Sequence, residues 1–224
     1  MKNPARSLTN IILVLFAWIV WLWVADQEFP NTVNLSIILG GVLVIFPVIL
    51  LGRWMLDRDP TPGRAFWATT FVHYGLGIPL GSALARAVIT HQDWSGWTIP
   101  IPPGVGLVLA IISGAAFLLV VANLALKGLG APFALALSEK LASEWMYAWS
   151  RNPMLLAGLA LLLSVGLWFQ SAFFLLWALL LVTPAMIFFM KVYEERELEI
   201  RFGASYLEYR SRTPFLFPRR PGKP

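Results

Sequence analysis

Two short polar clusters stand out in this largely apolar chain: Arg151-Asn152-Pro153, and Lys191-Val192-Tyr193-Glu194-Glu195. The first supplies a guanidinium, whose planar fork can clamp a carboxylate through parallel hydrogen bonds. The second supplies adjacent carboxylates, which can hold an ammonium or favour a sulfonium. Together they suit a ligand that is zwitterionic and cationic. The same residues also suit plain structure. Asn is a good N-cap, Pro is favoured in the first helical turn, and a run of charges is often a solvated face.

For the clusters to act together, the chain between them must fold back on itself. Pro153–Trp168 and Ser171–Met190 are apolar stretches joined near Trp168–Ser171. They read as a tight helical hairpin that returns the second cluster to the depth of the first. Other polar residues have quieter readings. His73 and Tyr74 fall inside an apolar stretch and read as packing or hydrogen-bonding groups, with substrate contact as the alternative. Asn123 reads as a helix–helix hydrogen bond. Glu139 and Glu144 read as solvated residues of an interfacial helix before Arg151. We find no Ser/His/Asp arrangement, phosphate-cradling glycine loop or metal-ligand cluster. The sequence contains no cysteine, which excludes disulfides, thiolate metal sites and a cysteine nucleophile.

The elements that position these groups are membrane helices. Of 224 residues, 58% are hydrophobic and only 13% charged, with mean hydropathy +0.70. Soluble domains carry roughly 25% charged residues, so this chain lacks the polar surface of a water-soluble globule. A bilayer core of about 30 Å needs about 20 apolar residues per helix. Thr9–Ala25, Val33–Leu51, Phe66–Thr90, Val105–Leu126, Pro153–Trp168 and Ser171–Met190 qualify. No alternating pattern points to a barrel. The expected fold is all-α, a polytopic membrane bundle of about six transmembrane helices with a C-terminal cytosolic amphipathic helix. Residues 1–126 form four N-terminal spans, and 127–224 form the part that carries the polar clusters, as one structural unit with the first.

The net charge of +5 and pI near 9.8 do not imply nucleic acid, because the basic residues flank apolar runs rather than sharing a face. Lys2 and Arg6, then Arg53, Arg58 and Arg64, then Lys127, Lys140 and Arg151 lie on one side with the C-terminal tail. The loops near Asp26–Thr32, His91–Pro103 and Phe169–Gln170 carry no Lys or Arg. The positive-inside rule then places both termini in the cytosol. Arg86 is the exception among 17 basic residues and is expected to snorkel outward. Trp94 and Trp97 suit an outer aromatic belt. The N-terminal run reads as a retained span rather than a cleaved signal, because Trp23 stands where a small residue is needed.

Finer features come from particular residues. Gly75, Gly77, Pro79 and Gly81 cluster in the third span and allow close helix approach, or a portal for a lipid substrate. Pro184 should disturb the sixth span, with the Thr183 hydroxyl taking a freed carbonyl. Lys191–Arg212 reads as a polar amphipathic helix broken at Gly203, and Pro214–Pro224 as a tail.

The ordered motifs carry a resemblance. Arg151-Asn152-Pro153-Met154-Leu155, an apolar hairpin, Glu194-Glu195, and Phe202-Gly203-Ala204-Ser205-Tyr206-Leu207-Glu208-Tyr209 resemble the C-terminal half of the isoprenylcysteine carboxyl methyltransferase family. Membrane phospholipid methyltransferases share the pattern. Upstream, Gly128-Leu129-Gly130-Ala131-Pro132 is similar to a Gly-x-Gly-Thr-Pro stretch of bacterial relatives, and Tyr147 falls where they carry Gly-Pro-Tyr-Arg. The resemblance covers about Lys127–Arg219.

The resemblance implies an integral membrane methyltransferase that uses S-adenosylmethionine, without a metal, on a lipid or prenyl-linked acceptor. A bacterial plasma membrane is implied, with membrane lipids as surroundings and no nucleic-acid partner. Arg151, Glu194 and Glu195 would carry catalysis. Tyr147, Arg151, Asn152, Pro153, Met154, Glu194 and Glu195 would line the cofactor site. The chain departs from the pattern at several points. Asn152 replaces the family His, which excludes a histidine base there. Leu155 replaces a Tyr, and Trp145, Met146 and Ala148 surround Tyr147 in place of Gly, Pro and Arg. Two other readings stay open: a non-catalytic membrane subunit with a protein partner, and an oxidoreductase of the sterol-reductase type with a nicotinamide cofactor.

Overall fold

A segment in hydrocarbon has no water to take its backbone polar groups, so each apolar stretch closes its hydrogen bonds as a helix. The computed structural model describes residues 4–94, 96–128 and 140–220. Its helices are α1 (Pro4–Asp26), α2 (Asn31–Arg58), α3 (Pro62–Ile89), α4 (Pro103–Asn123), α5 (Met146–Trp149), α6 (Pro153–Trp168), α7 (Ala172–Phe202) and α8 (Ala204–Arg212). Among the described residues five helices, α1 to α4 and α7, are long and apolar enough to cross a membrane. The sixth apolar helix, α6, has 16 residues. That length gives about 24 Å, short of a bilayer core of roughly 30 Å. The all-helical membrane architecture is as expected, with five full spans and one shorter helix rather than six equal ones.

Lipid tails are as apolar as the side chains they meet, so membrane helices associate through close packing and interhelical hydrogen bonds. Glycines mark the closest approaches. A Cβ at Gly41 of α2 would lie 2.4 Å from the Pro79 carbonyl oxygen, and one at Gly52 would lie 2.2 Å from Val72. These contacts seat α2 on α3, and α7 closes the core with Phe174, Trp177, Phe189 and Tyr193 against Ile38, Ile49 and Val72. The α1 helix leans on α3 where Trp21 covers Gly81 and donates its indole N–H to the Ile78 carbonyl at 3.1 Å. The α4 helix pairs with α6, where a Cβ at Gly106 would lie 2.2 Å from the Trp168 nitrogen. The third-span glycines thus serve packing at Gly81 and Gly75, while a Cβ at Gly77 would meet nothing.

Arg86 does not snorkel. It is 3% exposed and donates to the Asn34 side chain at 2.8 Å and to the carbonyls of Val24 and Gln27 at 3.1 and 2.9 Å. The last carbonyls of α1 have no partner within their own helix, and a cation there meets both that need and the negative end of the helix dipole. Snorkelling lost because a built acceptor set was nearer than water. Trp97 is 78% exposed, but Trp94 packs inward against Phe173, with ring centroids 5.7 Å apart.

The α6–α7 hairpin turns at Phe169–Ser171. Gln170 takes φ 52°, and Ser171 caps α7 by accepting from the Phe174 amide at 3.2 Å. The turn is fastened by Gln170, whose side-chain amide donates to the Ile101 carbonyl at 2.8 Å. Inside α7, Pro184 comes just after a wide π-type turn at Ala178–Val182. The Thr183 hydroxyl donates to the Ala178 carbonyl at 2.9 Å, the local repair expected for a helix interrupted by proline. Gly203, at φ 54°, separates α7 from α8 as the sequence anticipates.

Candidate functional site

The site grows from two helix ends. Pro153 opens α6, where its missing N–H costs nothing, and this leaves Arg151 and Asn152 just outside the first turn. On the return helix, a second π-type turn spans Met190–Glu194. The additional residue in such a turn rotates the remainder of the helix by about 100° relative to an uninterrupted one. This turn is braced from α2, where Arg53 donates to the Val192 carbonyl at 2.9 Å and pairs with Asp57 at 2.6 Å. It is braced from α3 as well, where the Thr69 hydroxyl bonds Tyr193 Oη at 3.0 Å. Below it, Glu197 is 4% exposed and holds Arg201 at 2.7 Å.

The two polar clusters meet. Arg151 Nη1 pairs with Glu195 Oε1 at 2.7 Å, with both side chains largely buried. The same nitrogen donates to Tyr206 Oη of α8 at 3.4 Å. Arg151 Nε is buried without a hydrogen-bond partner. Glu194 is half-buried, and among the described residues its carboxylate makes no hydrogen bond or ion pair. The charges acting on it are those of Glu197, Arg201 and Glu195. Burial, and then the charge of Glu194, push the Tyr147 phenol well above its usual range, so this α5 side chain sits within reach of the cluster's field. Tyr209 of α8 fastens α5 by donating to the Tyr147 carbonyl at 2.7 Å. Met154 is half-buried in the first turn of α6, and Leu155 is buried.

The chain after α8 is not a free tail over 213–219. The Pro214 carbonyl accepts from the Arg151 amide at 2.9 Å, and Arg219 donates its amide to the Trp149 carbonyl at 3.0 Å. Ser150 donates to the Leu216 carbonyl at 2.8 Å. Asn152 does not cap α6. Its side-chain amide donates instead to the Phe215 carbonyl at 2.8 Å. The Phe215 ring lies under two cations, 5.7 Å from the Arg151 guanidinium carbon and 5.0 Å from Lys191 Nζ. Sequence reasoning missed Phe215 and Arg53. The signal for Phe215 was an aromatic pair, Phe215 and Phe217, in an otherwise polar end.

Asn123 is fully buried and accepts from the Met146 amide at 3.2 Å, so it joins α4 to the short helix α5 rather than to another span. Helix before Arg151 is confined to α5 among the described residues, and Glu144 precedes it in an exposed position. Glu139 and the stretch Leu129-Gly130-Ala131-Pro132 lie outside the described residues. A cavity of about 320 Å³ lies away from the cluster, between α1 and α3.

Comparison with known proteins bears on the segment that carries this geometry. Residues 104–205 match the family model of phospholipid methyltransferases. The matched stretch begins inside α4, upstream of the quoted motifs, and ends in α8. It contains Arg151, Glu194 and Glu195. The resemblance read from the motifs is to this same family, and the match supports a membrane methyltransferase in general terms. No curated protein and no solved structure matches the chain.

Proposed function

We propose that the chain is an S-adenosylmethionine-dependent methyltransferase acting on a lipid or isoprenoid-linked acceptor, with its site at the basic end of the bundle and both termini in the cytosol. The observation that carries this reading is the ion pair of Arg151 with Glu195, the residue after Glu194, inside a segment that matches a lipid methyltransferase family.

The residues fit such a cofactor. Among the described residues Arg151 keeps one buried donor, Nε, without a partner, and the Glu194 carboxylate makes no hydrogen bond or ion pair, though the charge of Arg201 acts on it. One free donor and one free acidic group are what an amino-acid moiety needs at its carboxylate and ammonium ends. When bound, the cofactor supplies an activated methyl on a sulfonium. Glu195 holds the guanidinium in place, Tyr206 accepts from it, and the Phe215 strap keeps water from one side of it. Pro153 and Met154 set the first turn of α6 beside the cluster. In-line displacement asks the protein mainly for alignment and exclusion of water.

The test is a thermal titration of the full chain in phospholipid nanodiscs with S-adenosylhomocysteine, S-adenosylmethionine and reduced nicotinamide. A ligand bound only by the folded state raises the melting point by mass action. We expect a rise with both adenosyl ligands, lost in Arg151→Met and reduced in Glu194→Gln, together with methyl transfer from labelled S-adenosylmethionine into a lipid extract. A rise with nicotinamide alone would replace this reading with a reductase. Silence from all three would replace it with a non-catalytic subunit.

A further inference from the structure

The cavity between α1 and α3 lies outside the matched segment and has its own chemistry. Val14, Ala17 and Trp18 form one wall, and His73, Tyr74 and Gly77 form the other. His73 lies about 16 Å along α3 from its start, near the middle of a core of roughly 30 Å. No lining residue carries a formal charge apart from the titratable His73. Trp18 is 55% exposed, so the cavity opens on the face that lipid covers.

Counting donors and acceptors narrows the occupant. The Trp21 indole N–H is spent on the Ile78 carbonyl, and the Tyr74 hydroxyl is spent on the Asn10 carbonyl at 3.1 Å. His73 Nδ1 bonds the Thr69 carbonyl at 2.9 Å. A carbonyl only accepts, so Nδ1 carries the hydrogen, and a neutral imidazole then leaves Nε2 as a bare acceptor. The ring is held on its other side by Phe189, edge to face at 5.6 Å. The cavity therefore offers apolar walls, the His73 ring nitrogen as an acceptor, and the Trp18 indole N–H, which makes no hydrogen bond among the described residues. An anionic or zwitterionic lipid head would find no formal charge to pair with at this depth, whereas a hydroxyl can both donate to the imidazole and accept from the indole.

We propose that this cavity binds a neutral long-chain alcohol, its chain along Val14 and Ala17 and its hydroxyl donating to His73 Nε2. A site of about 300 Å³ is at the small end for ligand pockets and suits one chain rather than a two-chain lipid. The proposal stands apart from the methyl-transfer reading, because none of its residues belongs to the Arg151–Glu195 cluster.

The experiment uses the full chain in phosphatidylcholine nanodiscs and a photoactivatable diazirine derivative of 1-dodecanol, with labelled peptides mapped by mass spectrometry. Label is expected in α1 and α3 around Trp18 and His73. Unlabelled 1-dodecanol should compete about tenfold better than dodecane, the worth of one desolvated hydrogen bond. Dodecanoate should compete no better than dodecane. His73→Phe keeps the ring and should erase the alcohol's advantage. Gly77→Leu, at a position where an added Cβ meets nothing, fills the cavity and should remove the label. Equal competition by dodecane and dodecanol in the parent protein, or undiminished labelling of Gly77→Leu, overturns the proposal.

Discussion

Replacing Arg86 by Met tests whether a buried cation with no carboxylate partner among the described residues holds the far end of the bundle together. Arg86 makes three hydrogen bonds of 2.8 to 3.1 Å, to Asn34, Val24 and Gln27, and a longer one of 3.5 Å to Ala25. Met fills much of the same volume but donates nothing. Each buried acceptor left bare costs about 1–3 kcal/mol, so three cost roughly 3–9 kcal/mol. Relief of the buried guanidinium's desolvation returns several kcal/mol of that, since burying an ion is itself expensive. The expected net loss after that relief is about 2–4 kcal/mol. Arg86→Lys keeps the charge but not the fork and should lose about half as much. Reversible unfolding in mixed micelles measures both, and limited proteolysis near Phe29 reports whether the end of α1 comes loose. A Met variant within about 1 kcal/mol of the parent, with unchanged proteolysis, would refute the idea that Arg86 is the clasp of α1.

Packing and titration give three further outcomes. Gly106→Val should separate α4 from α6, because an added Cβ would lie 2.2 Å from the Trp168 backbone nitrogen; a melting point equal to the parent's would contradict that approach. Asn152→Ala should cost about 1 kcal/mol and speed amide exchange over 213–219 without altering exchange in α1. Burial, and then the charge of Glu195, push Tyr206 from 10.0 up to about 12, so the native state holds this proton longer than the unfolded chain. Its contribution to stability is complete below pH 10 and disappears as pH rises to about 12; Tyr206→Phe should flatten that part of the stability–pH curve, and an unchanged slope would sink the argument.

The hairpin was legible because its signals are local. Pro153, an apolar run, a turn near Gln170 and a second run specify two antiparallel helices whatever surrounds them, and these bring Arg151 to Glu195. Gly203 and Pro184 were legible for the same reason, since each changes the backbone at its own position. What sequence reasoning lost depends on distant partners. Nothing near Arg86 announces the carbonyls of Val24 and Gln27, and nothing near Asn152 announces Phe215. The turn at Met190–Glu194 has no proline to betray it; it rests on Arg53 and Thr69, far away in the chain. Helix length was also overstated as a guide, for α6 reads as a span by composition yet stops at 16 residues.

The fastening of 214–219 onto 149–152 has a mechanical consequence. The hairpin is tied at its open end by backbone bonds from Arg151 to Pro214 and from Arg219 to Trp149, while its loop end is tied to Ile101 through Gln170. Continuity of the peptide at Gln170 is therefore redundant for holding the arms together. A chain severed there and produced as two pieces should reassemble in the bilayer, with the cut ends still moored.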